Sequence, residues 1–460
     1  MGLVIAGERS GVGKTTVTLM LLAGLHQRQK TVQSFKVGPD YIDPMFHASV
    51  TGRSCYNLDP ILTSPSFVCQ CFSERTRSID AVVVEGVMGL FDGVGSEDGG
   101  STAYIARLLH LPIVLVIDCS HLSRSVAALV HGYRSFDPHL QMAGVILNRV
   151  GSDRHLEVLK EALEPSNLPI LGIVRRHQDI TIPDRHLGLV PTEELPQFQS
   201  LLNRLTELSE TCFDWAKLLP LLSTPRSTQL VQSRFMPLVS PLAGSPVRIA
   251  LARDRAFNFY YADNMDALEQ LGAELVPWSP LTDDDLPKGV HGLYLGGGFP
   301  ELMAAALMEN SSARRSVRRA IEAGMPTYAE CGGLMYLCEQ IIDFEGRSWE
   351  MVGALPTKTR MGAHLTLGYR QAIAQHNTPL LAAHTVVWGH EFHRSELTIP
   401  PAFPLYQMQR YNAAGSLPNE GWQRFQLHAS YLHLHWGGRL DIPTRFVYHC
   451  AQFARQGAIV

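Results

Sequence analysis

The chain has 460 residues, of which 45% are apolar and 18% charged, and its formal net charge is −4. A chain of this length is too long to fold around a single hydrophobic core, so two or three domains are expected. The near-neutral charge offers no basic face for nucleic acid and no polybasic patch for a membrane surface, so we expect neither as a partner.

The cysteines and the first residues point to a reducing compartment. Eight cysteines occur without any C-x-x-C pair, and a chain of this size does not need disulfides to hold its core together. The opening residues MGLVIAGERSG lack the basic and long apolar regions of a secretory signal. No apolar run reaches the ~18 residues of a transmembrane helix, so we expect a cytoplasmic protein.

The first half of the chain alternates short apolar runs with segments of helical periodicity. Continuous apolar strands separated by helices predict a doubly wound parallel sheet that is covered on both faces. We therefore predict an α/β domain over residues 1–222. Its predicted strands are 2–7, 81–86, 112–120, 143–150 and 169–174, with helices at 14–29 and 154–164.

A glycine-rich loop joins the first predicted strand to the first predicted helix. In the segment GERSGVGKTT, residues 7–16, backbone N–H groups of the loop would approach phosphate oxygens. The Lys14 ammonium would reach the β- and γ-phosphates, and the Thr15 hydroxyl would bind Mg²⁺. The predicted ATP-binding residues are Gly11, Gly13, Lys14, Thr15 and Thr16.

The spacing of this loop differs from the common G-x-x-x-x-G-K-[ST] pattern. Five residues separate Gly7 from Gly13, and Glu8 occupies the position expected for a glycine. In this respect the loop resembles the deviant P-loops of dethiobiotin synthetase and of MinD-like ATPases. Arg9 stands where the MinD-like proteins carry a signature lysine.

Carboxylates that could hold Mg²⁺ follow two segments of the predicted sheet. Asp40 and Asp43 lie in FKVGPDYIDP, and Glu85 comes directly after a buried strand. Acids at the carboxyl ends of neighbouring parallel strands meet at one edge of the sheet. We predict metal binding by Thr15, Asp40 and Glu85. Asp40 and Asp43 adjoin prolines, so a turn-making role is the alternative, and Asp118 is either a second acid or a structural strand-end residue.

Asn148 follows the predicted strand AGVILNRV, where its amide could recognise an adenine edge. A capping or turn-forming asparagine is the alternative interpretation.

The pattern changes after residue 222. Residues 223–246 are rich in Ser and Pro without sustained periodicity, which is typical of a linker. The α/β alternation restarts at VRIALAR, residues 247–253, and continues through LGGGFPE and a helix around 311–323. We predict a second α/β domain over 247–460.

Cys331 lies in PTYAECGGLMYL, which reads as strand, tight turn and helix. This order is typical of a nucleophile elbow, in which the turn exposes the side chain and the helix N-terminus stabilises a thiolate. We predict Cys331 as the nucleophile and expect the other seven cysteines to be inert.

A thiol that attacks an amide needs oxyanion donors and a base. The backbone N–H groups of Gly297 and Gly298 are the predicted oxyanion hole, with an ordinary strand-to-helix loop as the alternative. Among 19 histidines, we choose His433 as the base. On a strand His435 would share its face, whereas His428 would lie in a different register.

With both sites described, the chain resembles the cobyrinic acid a,c-diamide synthase family nearly from end to end. In that family a synthetase domain similar to dethiobiotin synthetase precedes a class I glutamine amidotransferase domain. The segments DRHLGL, FNFYY and GHEFH are particular to corrinoid amidation. The matching segments are GERSGVGKTT, FKVGPDYIDP, NLDP (57–60), VVVEGVMGLFDG (82–93), IPDRHLGLVPTEE (182–194), ARDRAFNFYYADN (252–264), YLGGGFPE (294–301), AECGGLMYL (329–337), LTLGYR (365–370), GHEFHRSE (389–396) and ASYLHLHW (429–436).

The resemblance implies the chemistry. Glutamine would be hydrolysed at Cys331 through a glutamyl thioester, and ATP with Mg²⁺ would convert the a and c carboxylates of the corrinoid into acyl phosphates that ammonia attacks. The substrates would thus be a corrinoid carboxylate, L-glutamine and ATP. Residues implied to place the acyl phosphate are Asp40, Asp43 and Glu85, while Tyr41 and Ile42 would help choose the carboxylate.

Two positions depart from the family pattern. Class I elbows commonly read G-x-C-x-G, and Ala329 replaces the first glycine. The usual H-x-E appears as His433-Leu434-His435, so we expect a Cys–His dyad in which His435 orients its neighbour or packs.

Other functions stay open at this point. The same chemistry on hydrogenobyrinic acid or nickel sirohydrochlorin is the nearest alternative, since the sequence does not separate cobalt-loaded from metal-free substrates. A more distant alternative is a P-loop regulatory ATPase with a degenerate amidotransferase domain. The sequence does not determine the oligomeric state, and a homodimer is our working hypothesis.

Overall fold

The structure, a computed structural model, describes residues 2–95, 98–176, 184–185, 188–189, 198–222, 246–411 and 417–457. It divides into two compact units, Met1–Gln232 and Ser233–Val460. All but the last residue of the predicted linker 223–246 lie outside the described residues, so the domain limits stay a prediction.

The first unit is built on a seven-stranded sheet in which every described pairing is parallel, with strand order β3-β2-β4-β1-β5-β6-β7. The predicted parallel α/β fold is therefore confirmed. The elements of the sheet and its helices are β1 Leu3–Gly7, α1 Lys14–Gln27, β2 Val32–Val37, α2 Ile42–Thr51, β3 Tyr56–Leu58, α3 Pro65–Arg75, β4 Ala81–Glu85, α4 Thr102–Leu109, β5 Ile113–Asp118, α5 Ser125–Phe136, β6 Met142–Val150, α6 Asp153–Leu163, β7 Ile170–Arg175, β8 Asp184–Arg185, β9 Gly188–Leu189, α7 Phe198–Cys212 and α8 Trp215–Leu222.

Burial explains why these segments read as continuous apolar runs. All residues of β1, β4 and β5 are buried, because helices cover both faces of the sheet. Helix α1 is buried from Val17 to Leu25, on all sides rather than on one face, and it packs against α2 and α7. The loop at its N-terminus is thus anchored by a rigid strand and a rigid helix.

The central strand of this sheet determines where a ligand can bind. Strands β4 and β5 lie on either side of β1, so the carboxyl ends of the three strands share one edge. That edge is where ligands bind in open parallel sheets. It brings together the glycine-rich loop, Glu85 and Asp118.

The family-like segment IPDRHLGLVPTEE is described only in part. Its strands β8 and β9 pair antiparallel, and the remainder of 182–194 lies outside the described residues.

The second unit contains a twelve-stranded mixed sheet. Its main path runs β11-β10-β12-β13-β20-β19-β18-β16-β14-β15, and β17 joins β16 to β21. The elements are β10 Val247–Ala252, α9 Ala262–Gln270, β11 Ala273–Trp278, β12 Gly292–Leu295, α10 Ala304–Glu309, α11 Ser311–Glu322, β13 Thr327–Glu330, α12 Gly332–Leu337, β14 Cys338–Ile342, β15 Ser348–Glu350, β16 Leu355–Ala374, β17 Val386–Leu397, β18 Pro404–Arg410, β19 Glu420–Arg424, β20 Leu427–Ser430, β21 His433–Leu434 and α13 Asp441–Arg455.

Alternation along the inner strands builds a core on each face of this sheet. On β12, Leu293 and Leu295 enter one cluster with Trp278, while Tyr294 enters another with Trp436. Successive residues of a strand point to opposite faces, so every position is buried. The α/β class of this unit is confirmed.

Within the described ranges, no helix is both long and apolar enough to span a bilayer. All eight cysteines carry free thiols.

Candidate active sites

The glycine-rich loop holds a buried lysine. The Lys14 ammonium is 2.5 Å from the carbonyl oxygen of Met88 and 3.5 Å from that of Arg9, to both of which it donates. Burial, reinforced by the positive charge of Lys36, lowers the pKa of Lys14 to about 8. A phosphate anion in the loop would favour the charged lysine, as a P-loop requires.

Thr15 connects the loop to two carboxylates. Its hydroxyl donates to Glu85 at 2.8 Å and lies 3.3 Å from an oxygen of Asp43. Two of these three side chains were predicted to bind metal, and the structure brings them into contact. Thr16, in the same helical turn, is half-buried.

Lys36 is a central residue that the sequence analysis missed. Its ammonium is fully buried between Asp43 at 2.5 Å and Glu85 at 2.9 Å, and it also donates to the Gly86 carbonyl at 3.2 Å. Although its burial opposes a charge, these carboxylates raise the pKa of Lys36 above its usual value. A lysine within the buried strand of FKVGPD was the signal that could have revealed it.

His47 is a further member of the first site and contacts Glu85. Its Nε2 is 2.7 Å from the other oxygen of Glu85, and its Nδ1 is 3.4 Å from the Cys55 sulfur. Burial would raise the pKa of Glu85, but Lys36 and His47 outweigh it and hold that pKa below its usual range. Glu85 therefore stays ionised although it is completely buried.

Asp43 differs from Glu85 in the direction of its pKa shift. Burial and the nearby charge of Asp40 raise the pKa of Asp43 to about 7, even though Lys36 opposes the shift. Asp40 accepts backbone hydrogen bonds from Ile42 at 2.8 Å and from Asp43 at 3.1 Å, so it forms the start of α2. Its second oxygen lies 3.9 Å from the Lys36 ammonium. Asp40 is thus a turn residue and also a member of the charged cluster.

Mg²⁺ fits the donors of this cluster. A hydroxyl and carboxylates are the oxygen ligands that Mg²⁺ prefers, and this ion usually takes its other ligands from water and phosphate. In the described part of the chain, no group of three or more His, Cys, Asp or Glu side chains is placed to hold a metal ion by itself. Tyr41 and Ile42 lie beside the cluster in sequence and are buried.

Asn148 and Asp118 support the loop from neighbouring strands. The Asn148 amide donates to the Val12 carbonyl at 2.7 Å, and its oxygen accepts from the Arg149 backbone at 2.9 Å. Asp118 pairs with Arg9 at 3.0 Å and with Arg149 at 2.6 Å. Burial opposes its ionisation, yet hydrogen bonds from Ser120 and Arg149 lower the pKa of Asp118 to about 2. These contacts favour the structural strand-end role for Asp118, and adenine recognition by Asn148 stays a prediction.

In the second unit, Cys331 occupies a strained turn between β13 and α12. Its backbone has φ 46° and ψ −99°, a conformation that residues other than glycine rarely adopt. The Cys331 N–H donates to the Ser430 carbonyl at 2.8 Å, which fixes the turn to β20. This is the strand–turn–helix arrangement expected for a nucleophile elbow.

Burial favours the protonated form of the Cys331 thiol. The residue is 6% exposed, and its burial, with the charges of Glu301 and Glu330, raises the pKa far above the usual thiol value. A backbone hydrogen bond with Gly332 lowers the pKa by less. This hydrogen bond at the helix N-terminus does not offset the effect of burial, so we expect a base to take the proton, and stabilisation of the thiolate by the helix stays a prediction.

The glycine loop after β12 lies against both Cys331's turn and His433. The Gly296 N–H donates to the Tyr260 hydroxyl at 2.9 Å, which leaves Gly297 and Gly298 as the candidate oxyanion donors. A Cβ at Gly297 would be 2.7 Å from the His433 ring, and one at Gly332 would be 3.0 Å from the Gly298 nitrogen. The loop is therefore close to the predicted nucleophile and to the predicted base.

The three late histidines have different surroundings. The His433 ring stacks on His390 with ring centres 4.9 Å apart, and its Nδ1 is 3.7 Å from the Glu330 carboxylate. His435 lies 3.3 Å from Asp263. His428 is buried between hydroxyls of two neighbours, Thr378 and Tyr406, each at 3.0 Å. Of the three, His433 is the one whose ring lies against Gly297.

A further buried amide was missed by the sequence analysis. The backbone N–H of Asn258 donates to the Gly297 carbonyl at 3.1 Å, so Asn258 lies beside the candidate oxyanion hole. Its side chain is buried, and within the described structure neither its nitrogen nor its oxygen has a hydrogen-bond partner. An amide of this kind can pair with a ligand that both donates and accepts.

Comparison with known proteins agrees with the two sites. Residues 3–190 match the model of the CobQ/CobB/MinD/ParA nucleotide binding domain, and residues 248–440 match that of the CobB/CobQ-like glutamine amidotransferase domain. The chain is 59% identical to a cobyrinate a,c-diamide synthase of Synechococcus sp., with 98% of this chain and 99% of the relative covered. A protein of the same name from Synechocystis sp. is 52% identical, with coverages of 99% and 95%. A hydrogenobyrinate a,c-diamide synthase of Streptomyces coelicolor is 41% identical, with 97% of each chain covered.

Proposed function

This chain belongs to the cobyrinate a,c-diamide synthase family, and we propose that it uses ATP and glutamine to amidate the a and c carboxylates of cobyrinic acid. As a member of this family it is a carbon–nitrogen ligase with glutamine as the nitrogen donor, in cobalamin biosynthesis. Its nucleotide-binding domain accounts for the use of ATP. The acyl-phosphate route, the role of Mg²⁺ and the individual residues are our proposal.

The observation that carries the proposal is the strained elbow at Cys331 in the same chain as a P-loop with buried carboxylates. The elbow supports attack on an amide, and the P-loop supports phosphoryl transfer to a carboxylate. Neither half completes an amidation alone, since one makes ammonia and the other activates its acceptor.

In the glutaminase half, His433 takes the thiol proton as the Cys331 sulfur attacks the glutamine carboxamide carbon. The N–H groups of Gly297 and Gly298 would hold the oxyanion that forms. His433 then returns the proton to the departing nitrogen, ammonia leaves, and water hydrolyses the thioester to glutamate.

In the synthetase half, Lys14 and the loop N–H groups hold the ATP phosphates. Thr15, Asp40 and Glu85 would hold Mg²⁺, which when bound neutralises charge on the phosphates. Lys36 offsets the negative charge of Asp43 and Glu85, so that a substrate carboxylate can approach this acidic cluster. A carboxylate oxygen attacks the γ-phosphorus, ADP leaves, and ammonia then displaces phosphate from the acyl phosphate.

Separation of the two activities tests the proposal. Cys331→Ser should lose glutamine-dependent product but keep product formation with high ammonium. Asp43→Asn should do the opposite, retaining glutaminase activity while losing ATP-dependent product, with product masses read by mass spectrometry. Loss of both activities in Cys331→Ser, with folding intact, would contradict the assignment.

A second substrate is supported by one relative. The Streptomyces coelicolor protein is named for hydrogenobyrinate at 41% identity, below the 59% and 52% of two relatives named for cobyrinate. Product formation from both macrocycles under identical conditions distinguishes them, and faster turnover of the metal-free acid would overturn our choice. Three relatives named as synthases match 97–99% of this chain, which favours an enzyme over a purely regulatory ATPase.

We also propose a cytoplasmic homodimer that binds only these small molecules. Sedimentation of the purified chain tests the dimer.

A further inference from the structure

Behind His433 lies a carboxylate to which the sequence pattern gave no role. Glu330 is the last residue of β13 and directly precedes Cys331. Its side chain is 1% exposed, and its Oε2 is 3.7 Å from Nδ1 of His433. In sequence the two residues are 103 positions apart, and they meet because β13 pairs with β20, which leads into β21.

Glu330 is held in place by neutral donors. Its Oε1 accepts the Leu434 backbone N–H at 3.0 Å and the Tyr328 hydroxyl, and its Oε2 accepts the Tyr294 hydroxyl at 3.4 Å. Hydrogen bonds of this kind fix the orientation of a carboxylate without cancelling its charge. The bond to Leu434 also ties Glu330 to the backbone that carries His433.

The usual position of an acid in this enzyme class is taken by His435. That histidine lies 3.3 Å from Asp263 and its ring is 4.5 Å from the Tyr261 ring. No carboxylate therefore lies two positions after His433. Glu330, which comes earlier in the chain, is the carboxylate near its ring.

The other rings that contact His433 or Glu330 in the described contacts do not supply a negative charge. His390, stacked on it from β17, has its pKa held well below the usual value by burial and by the neighbouring His433, His435 and Arg370. The hydroxyls of Tyr294 and Tyr328 also lie at this carboxylate, and burial with Glu330's charge raises the pKa of each. These rings are neutral near pH 7.

We propose that Glu330 is the positioning acid of the glutaminase site, which orients His433 through Nδ1 and stabilises the imidazolium formed when Nε2 takes the Cys331 proton. This inference rests on the proposed function. The proton moves from sulfur to Nε2, and the Nδ1–H remains directed at Glu330, so no further reactant is needed. The site is then a Cys–His–Glu triad whose acid precedes the nucleophile, in place of the expected dyad.

Glu330→Gln is the sharpest test because the amide keeps the shape and removes the charge. We expect kcat for glutamine hydrolysis to fall at least ~100-fold while KM changes little, since Glu330 acts on the proton transfer and not on glutamine. Synthesis from ammonium should be unchanged, which shows that the protein is folded. Glu330→Asp should recover part of the loss.

Glu420 offers a matched control. It is a half-buried acid on β19 whose oxygens accept from Ser430 at 2.5 Å and from the Tyr431 N–H at 2.7 Å. Desolvation of its carboxyl group raises the pKa of Glu420 to about 8, which favours the neutral form at pH 7. Glu420→Gln should leave kcat within about threefold.

A double-mutant cycle separates positioning from a merely structural effect. The readout is the alkylation rate of Cys331 by chloroacetamide, which is measurable in every variant. Glu330→Gln should slow alkylation when His433 is present and have no further effect in His433→Asn. Equal slowing in both backgrounds, or a kcat within threefold of wild type, would overturn the inference. If wild type hydrolyses no glutamine at all, the proposed function itself fails.

Discussion

Burial favours the uncharged form of two key residues. It raises the pKa of the Cys331 thiol, so a base must take the proton, and it lowers the pKa of Lys14 to about 8. Glu85 keeps its charge in a fully buried position because Lys36 and His47 contact it. Each residue therefore has a protonation state that depends on named neighbours rather than on its own type.

His428 makes stability depend on pH. Burial lowers its pKa to about 3, against a usual value of about 6.5 in an unfolded chain. The unfolded state then binds the proton more readily, so the contribution of His428 is present above pH 6.5 and is lost as pH falls towards 3.

We expect this residue to steepen the fall in unfolding free energy by up to ~1.3 kcal/mol per pH unit between pH 6 and 4.5. His428→Gln, which can still bond Thr378 and Tyr406, should show a shallower slope in urea unfolding measured across that range. Parallel slopes for variant and wild type would contradict the assignment.

Single residues also mark the limit of sequence reasoning. Lys14, Thr15 and Cys331 carry local motifs, so they could be predicted from a few neighbours. Lys36 and Glu330 have no motif, and their roles arise only when β2 meets β4 and β13 meets β20. Long-range pairing of this kind is not encoded in any short window.

At the scale of elements, the five strands predicted for the first unit correspond to β1, β4, β5, β6 and β7, whereas β2 and β3 were missed, as were strands β14 to β19 of the second unit. Strands β4 and β5 are nearly continuous apolar runs because helices cover them on both faces, whereas β2 (VQSFKV) and β3 (YNL) are interrupted by polar residues. By contrast, β16 alternates buried and exposed residues over Leu355–Ala374 and includes several charged side chains. Such a strand has little apolar signal, so the extension from β14 to β19 was missed.

The loop between β12 and the next helix has almost no room. Gly298 has φ 154°, and an added Cβ would lie 2.1 Å from the Ala256 carbonyl oxygen. Because this oxygen belongs to the backbone, it cannot move away by a change of side-chain rotamer. Gly298→Ala should cost roughly 2 kcal/mol of stability and lower glutaminase kcat/KM ~100-fold by moving an oxyanion donor.

Gly362 on β16 is the matched control, since its Cβ would meet only the Arg394 carbonyl oxygen at 3.6 Å. Gly362→Ala should change neither stability nor glutaminase measurably. A Gly298→Ala enzyme with wild-type kcat/KM would exclude this loop as the oxyanion hole.

At the scale of the whole molecule, each unit has its own sheet and its own candidate site. The class and order of the two domains were predictable because each carries a motif at the end of a strand. The join between them was a prediction from composition alone.

Hydrogen exchange followed by mass spectrometry should locate both ligands. MgATP should protect backbone amides of residues 7–16, in the glycine-rich loop before α1, and of residues 35–43, in the charged cluster. A glutamine analogue that acylates Cys331 should protect residues 256–259 and 296–298 instead. Protection of the glycine loop after β12 by MgATP, without the analogue, would contradict the assignment of sites.

The backbone at position 331 has a consequence for sequence change over time. A non-glycine residue at φ 46° costs about 1–3 kcal/mol, and only the sulfur justifies it. An enzyme that takes its nitrogen from free ammonia needs no nucleophilic sulfur at this position. Selection would then no longer retain Cys331, and a glycine there would remove the backbone strain. A paralogue with glycine there should be more heat-resistant than its thiol-bearing counterpart and still form amides when ammonium is supplied.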